Sequence, residues 1–284
     1  MRQWLDLLRK VRNQGALKMD RTGVGTVSCF AEMIKVDNTV GSFPAVTTKT
    51  LAFKVCAAEM ACFIRGERQL SIFHQLGCHV WDGNGNDPRW TPKARFNGDL
   101  GRIYGVQWRQ WLSVDTLKSS LEKGIVVKQV DQLKNLVDGL QEDPNGRRHI
   151  VTAWNPGELD DMCLPPCPIM FQVFRAGTKI DMVVYQRSCD LFLGLPFDIA
   201  GYALLQRLIA LELGLATGEL TFFLGDAHIY LNHFQQVDTV LAREPKKAPV
   251  LELKDGASLW SFHPDQVRLL DYDAHPPVPA PLNV

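Results

Sequence analysis

The chain has 284 residues, of which 46% are hydrophobic and 22% charged, an ordinary globular composition that allows one large core or two small ones. Lys plus Arg and Asp plus Glu both total 31, so the basic excess of a duplex-binding protein is missing. No nucleic-acid partner is expected, and any bound phosphate should be a small-molecule one held by a few placed arginines. No apolar run approaches bilayer length, and charge breaks up Met1-Arg2-Gln3-Trp4-Leu5-Asp6 too early for a secretory signal, so no membrane partner is expected. Cys29, Cys56, Cys62, Cys78, Cys163, Cys167 and Cys189 form an odd set without framework spacing, which reads as reduced thiols in a cytoplasmic protein.

Trp4, Leu7, Leu8 and Val11 recur at helical spacing, so the chain opens with an amphipathic helix. Residues 25–36 suit a strand. Residues 53–64 are mostly apolar around one carboxylate, Glu59, which must face a cleft or find a partner, because burying it alone costs several kcal/mol. Residues 87–98 look like a loop insertion. Val130, Leu133, Val137 and Leu140 mark a helix stopped by Asp143-Pro144-Asn145-Gly146. Strand-like runs follow at 150–154, 169–174 and 180–185, the last two separated by a hairpin break at Ala176-Gly177. From Ile199 to Leu213 apolar residues occupy nearly every face, which predicts a central buried helix. The proline-rich tail from His275 should run extended over the surface. Helices and strands alternate without a βαβ rhythm, so the expectation is α+β in a single domain spanning residues 1–284.

No metal site is predicted. Asp82-Gly83-Asn84-Gly85-Asn86 begins like a calcium loop, but Asp87 and Lys93 stand where Gly and Glu are needed. His228 and His233 are spaced wrongly for ligands on one helix face, and no Gly-rich phosphate loop follows a strand. Leu164-Pro165-Pro166-Cys167-Pro168 is more informative, because prolines stiffen the chain on both sides of one thiol; taken alone, however, it reads better as a buried structural cysteine than as a nucleophile. Two further segments carry chemistry. Residues 186–200 hold an Arg-Ser pair and a Gly-Leu-Pro turn ahead of the buried helix. Gly225-Asp226-Ala227-His228-Ile229-Tyr230-Leu231-Asn232-His233 follows.

In order and spacing these three segments resemble thymidylate synthases. Asp20-Arg21-Thr22-Gly23-Val24-Gly25-Thr26, Glu59, the run from Gly98 to Arg109, and Arg147-Arg148 before Trp154-Asn155 extend the likeness to nearly the whole chain outside residues 87–97. The resemblance implies a mixed sheet packed by helices and a homodimer formed through that sheet. It implies folate-dependent one-carbon transfer to C5 of a pyrimidine deoxynucleoside monophosphate, with 5,10-methylenetetrahydrofolate as co-substrate. Cys167 would be the nucleophile that adds to C6, kept reactive by Arg187, with Glu59 and Tyr104 managing proton transfers. Arg21, Arg187 and Ser188 would hold the 5′-phosphate, joined by Arg147 and Arg148 from the other subunit. His228 and Tyr230 would bind the sugar 3′-hydroxyl, and Gln186 and Asp198 the base. Trp81, Asp190, Leu193, Gly194, Phe197 and Val284 would line the folate site, the tail closing over it.

Two departures bear on the substrate. The family's Asn after Gly-Leu-Pro-Phe is Asp198 here, and its His after the nucleophile is Pro168. Uracil shows N3–H as a donor and O4 as an acceptor, which an Asn amide matches, whereas cytosine reverses both. A carboxyl accepts from the cytosine amino group and shares a proton with N3, so Asp198 points to dCMP. The alternative is that Asp198 merely caps the following helix. Both departures resemble the phage deoxycytidylate hydroxymethylases, and a hydroxymethyl product is the favoured expectation. Reductive dCMP methylation, ordinary dUMP methylation and a catalytically idle nucleotide- or RNA-binding relative are the other readings. The idle one conflicts with the presence of Cys167 and all the phosphate arginines.

Overall fold

The computed structural model describes residues 1–119 and 124–283. Helix α1 (Arg2–Gln14) buries Trp4, Leu5, Leu7, Leu8 and Val11 on one face, as their spacing predicts. Strands β1 (Ala16–Lys18) and β2 (Thr26–Asp37) follow, then α2 (Phe53–Arg65), α3 (Leu70–Gln75), α4 (Asp82–Gly85) and α5 (Tyr104–Arg109). A hairpin of β3 (Trp111–Val114) and β4 (Val127–Val130), helix α6 (Gln132–Glu142) and β5 (Ile150–Thr152) lead to the long strands β6 (Pro168–Ala176) and β7 (Lys179–Asp190). Helix α7 (Gly194–Leu213) connects β7 to β8 (Ala216–Tyr230), and α8 (Phe234–Leu241) and the hairpin of β9 (Val250–Leu253) with β10 (Val267–Leu270) complete the order.

Six strands form one mixed sheet in the order β1-β2-β8-β7-β6-β5. Every pairing is antiparallel except β7 with β8, and that parallel step requires a crossover, which α7 supplies. Because α7 is apolar all round, it is buried on all sides, packed on β7 and β8 and covered by α2. The domain is therefore α+β around one core, as expected.

The strands differ from their predicted extents in ways that matter for the site. The run predicted at 180–185 continues to Asp190, so Arg187, Ser188 and Asp190 sit on a strand end rather than a loop. The run predicted at 150–154 stops at Thr152, where Asn155 caps a 3-10 turn through Pro156. The helix predicted from Ile199 begins at Gly194, since Pro196 falls in the first turn, where no N–H is required. The segment at 87–98 is pinned rather than loose: the buried Trp90 indole donates to the Asp99 carbonyl (2.7 Å), and Arg68 forks onto the Asp99 carboxylate (2.6 Å twice).

Two glycines allow backbone approaches that no side chain would permit. A Cβ on Gly105 would lie 2.4 Å from the Phe63 carbonyl oxygen, so α5 rests directly on α2. A Cβ on Gly225 would lie 2.6 Å from the Arg187 carbonyl oxygen, which fixes where Arg187 leaves β7. Ahead of α7, the Trp4 indole donates to the Leu191 carbonyl (2.7 Å) and buried Lys49 to that of Phe192 (2.7 Å).

The sheet face away from α7 carries Met33, Phe223, Tyr185 and Met170 as successive register partners on β2, β8, β7 and β6. Met33, Phe223 and Tyr185 are exposed, and Phe174 extends the patch along β6.

Candidate active site

Cys167 ends the turn that feeds β6, and hydrogen bonds hold that turn from both sides. The Cys167 N–H donates to the Tyr104 hydroxyl (3.0 Å), and its carbonyl accepts from the Arg187 N–H (2.8 Å). Arg187 also donates from Nε to the Pro166 carbonyl (2.8 Å) and from Nη2 to that of Pro165 (3.0 Å), while its guanidinium lies 5.3 Å over the Trp154 ring. The flanking prolines thus remove donors and leave carbonyls for one cation to gather. Arg187 acts on the thiol in the expected direction. Burial pushes the Cys167 thiol above its ordinary range, and Arg187 and the Tyr104 hydroxyl oppose that shift without cancelling it. Arg187 also fixes the loop through the Pro165 and Pro166 carbonyls.

Glu59 projects from α2 and is paired: the Trp81 indole N–H donates to its Oε1 (2.8 Å). Trp81 was expected on the folate side, and it does line the pocket, but its nitrogen orients Glu59. Phe63, one helical turn on, stacks on Tyr104 with ring centroids 5.1 Å apart and planes at 6°, a consequence of the close approach at Gly105. Burial pushes Glu59 up to about 8, with the Asp198 charge adding to it and the Trp81 bond opposing it.

Asp198 lies a full turn inside α7 and does not cap it; Leu193 holds the cap position. Its Oδ2 instead accepts from Gln186 Nε2 (2.7 Å), and Gln186 Oε1 is left buried without a partner among the described residues. Burial pushes Asp198 up to about 7, Asp190 adds to this, and Gln186 opposes it. Glu59, Tyr104, Pro168, Asp198, Gly201 and Tyr202 border a small cavity of about 60 Å³, and these polar groups give it room and partners for a water or two.

These groups open into one cavity of about 740 Å³. Arg21, Arg187 and Ser188 lie along its wall, as does an ion pair between Lys18 and Asp226 (2.9 Å). His228 and Tyr230 meet edge to face at 5.1 Å. Burial pulls His228 down, but the hydrogen bond it donates to Asp226 and the charges of Asp190 and Asp226 outweigh it, so its net shift is upward. Burial lifts Tyr230 to about 12. Trp81, Leu193, Gly194 and Phe197 form another stretch of wall, beside Asp190, whose Oδ1 accepts from the Phe192 (2.9 Å) and Leu193 (3.2 Å) N–H groups.

The tail is tied down at the rim: His233 Nε2 meets the Pro281 carbonyl (2.8 Å), and Asn283 pairs with Asn232 (3.1 Å), so Leu282 and Asn283 line the cavity. Val284 lies outside the described residues. Arg147 and Arg148 are exposed ahead of β5 and take no part in this cavity. Sequence reasoning missed Lys18, Met19, Asn84, Leu164, Leu282 and the wall position of Asp226. Asp226 stood inside a motif already noted, and Lys18 lies just before another; Asn84 had been weighed only as a calcium ligand.

A thiol on a rigid turn, two half-buried carboxyls that hold protons near neutrality, and arginines on one wall can together add a nucleophile to a ring and move protons on it. Among the described residues no helix is long and apolar enough to cross a membrane. The family model for thymidylate synthase matches residues 2–284, and the chain belongs to the thymidylate synthase family, enzymes of folate-dependent one-carbon transfer to C5 of a pyrimidine nucleotide.

Proposed function

We propose that this chain is a dCMP hydroxymethylase with 5,10-methylenetetrahydrofolate as co-substrate. The observation that carries the reading is Asp198: half-buried in the cavity wall, held by Gln186 and pushed up to about 7, its carboxyl sits near the middle of its titration at neutral pH. A cytosine edge needs an acceptor for its amino group and a proton to share at N3, and such a carboxyl supplies both.

Cys167 adds to C6 as thiolate, and C5 becomes the carbon nucleophile. The upward shift of the thiol means that proton removal belongs to the bound complex, where a phosphate, a base edge and excluded water change its surroundings. Glu59 (oriented by Trp81), Tyr104 and Asp198 all border the small cavity, a route for protons to and from the ring. Arg21, Arg187 and Ser188 take the 5′-phosphate, and His228 with Tyr230 the 3′-hydroxyl. The folate fits the remaining wall: Leu193, Phe197 and the Trp81 ring are apolar, and Asp190 engages its two backbone donors through one oxygen, leaving the other for a donor-bearing heterocycle. When bound, the folate supplies the one-carbon unit at the formaldehyde oxidation level.

The apolar row Met33–Phe223–Tyr185–Met170 supports a homodimer through this face, since exposed apolar patches of this kind mark interaction sites. A two-fold axis there would let Arg147 and Arg148 serve the neighbouring pocket. Arg148→Ala mixed with Cys167→Ala, each inactive alone, should regain activity in hybrid dimers. Failure to do so despite subunit exchange would count against shared sites.

One observation favours a second reading, reductive methylation of dCMP. The tail, pinned at the rim, sets Leu282 and Asn283 against the cavity and narrows the way in for water to the one-carbon centre. Mass spectrometry of the product formed from dCMP and methylenetetrahydrofolate separates the two: hydroxymethyl-dCMP is expected, and 5-methyl-dCMP would establish the reductive reaction instead.

A further inference from the structure

Outside the pocket, three side chains converge on the outer side of the turn that carries Trp81. His74 belongs to α3, Asp82 opens α4, and His79 lies between them. His74 Nε2 is 2.6 Å from Asp82 Oδ1, and His79 Nδ1 is 3.4 Å from Oδ2 of the same carboxylate. The imidazoles stack, with centroids 4.4 Å apart and planes at 24°. One donor atom from each of the three residues falls within 4.8 Å of the others, and all three side chains are between 38% and 63% exposed, so an ion can reach them from solvent.

We propose that His74, His79 and Asp82 form a surface site for a divalent ion of the zinc class, one per chain, with solvent completing a four-coordinate shell. The donor set selects the class. Two imidazole nitrogens and one carboxylate suit Zn²⁺ and its borderline neighbours, whereas Mg²⁺ and Ca²⁺ prefer oxygen throughout. Cys78, next to His79 in sequence, is not a ligand: it is buried in the core, and burial holds its thiol up at about 12. The spacing of 74, 79 and 82 follows no helix face, so only the turn after α3 brings these donors together.

The site has a structural consequence near the chemistry. Trp81 stands between His79 and Asp82 and donates its indole N–H to Glu59, so an ion here ties the end of α3 to the turn that orients that carboxyl. The proposal does not depend on which nucleotide the enzyme uses.

The test is titration of the reduced, chelator-treated full-length protein with Co²⁺. Visible d–d bands of tetrahedral intensity are expected, at one ion per chain, with no thiolate-to-metal band in the near ultraviolet, and Zn²⁺ should displace them. His79→Gln and Asp82→Asn should each lose the bands, while His263→Gln, beside Asp265 in a distant segment, should keep them. Circular dichroism checks that the variants are folded, and anomalous diffraction from a Zn²⁺-soaked crystal of the wild-type enzyme locates the ion without any variant. No d–d bands at millimolar Co²⁺, bands that persist in His79→Gln, a thiolate band, or an ion located elsewhere would each overturn the assignment.

Discussion

Cys167→Ala is expected to abolish turnover, with a loss on the order of 10⁶ as for other enzymes stripped of their nucleophile, while the protein stays folded. The fold should survive because the Cys167 backbone makes the contacts that hold the turn: its N–H to Tyr104 and its carbonyl to Arg187. Cys189, fully buried on β7, cannot take over, since burial drives its thiol far above its ordinary range. Steady-state rates on dCMP, with circular dichroism and sedimentation on the same sample, check the prediction. A variant that retained a substantial fraction of the wild-type rate would remove Cys167 from covalent catalysis. Loss of folding would show instead that the thiol packs the turn.

Asp198→Asn is expected to reverse or erase a preference for dCMP over dUMP, changing the kcat/KM ratio by up to ~10⁴, the cost of a mismatched polar pair in a closed site. The amide presents a fixed donor where cytosine also has one, and it matches uracil at both positions. Because Pro168 leaves the neighbouring water cavity unlike that of an enzyme with His there, the reversal should be partial. The pH profile gives a second readout. With Asp198 at about 7, the proton shared with N3 is lost as pH rises through that range, so kcat/KM for dCMP should fall there. The Asn variant should lack that limb and keep only one from Glu59, shifted below its wild-type position of about 8 because the Asp198 charge that helps raise it is gone. Wild-type preference for dUMP, or a ratio unmoved by the substitution, would return the chain to the dUMP-using enzymes.

Much of the fold could be read from periodicity, because α1 and α7 bury apolar residues at helical spacing and β6 and β7 share a two-residue break. Strand β8 could not be read that way. Gly218 and Gly225 interrupt it, and its second half looks like a polar motif because the strand ends in the pocket. The short hairpins β3–β4 and β9–β10 carry too few buried residues to stand out. At the site, residue types and order identified Cys167, Glu59, Asp198 and the wall residues, but not what each one touches. The Trp81–Glu59 bond spans 22 residues and the Arg187–Pro165 bond spans 22, and neither has a local signature. The alternative of Asp198 as a cap failed because the sequence placed the helix start at Ile199, and the true start at Gly194 puts Asp198 a turn inside.

Placing two half-buried carboxyls in the pocket wall also sets how tightly the chain folds. Glu59 and Asp198 hold their protons in the folded state up to about 8 and about 7, whereas an unfolded chain releases them near 4. Between those limits the folded chain binds more protons than the unfolded one, so their linked contribution is fully present below about pH 4 and is lost as pH rises through 7 and 8. Between about pH 4 and pH 8 each further unit of alkalinity therefore favours unfolding at these two positions. Asp198→Asn, which removes one of them, should raise the melting temperature at pH 8 more than at pH 5, even as it removes the preference for cytosine. If the proposed dCMP reading holds, the wild-type carboxyl exchanges conformational stability for selectivity, and a nucleotide that shares its proton should restore part of that stability on binding.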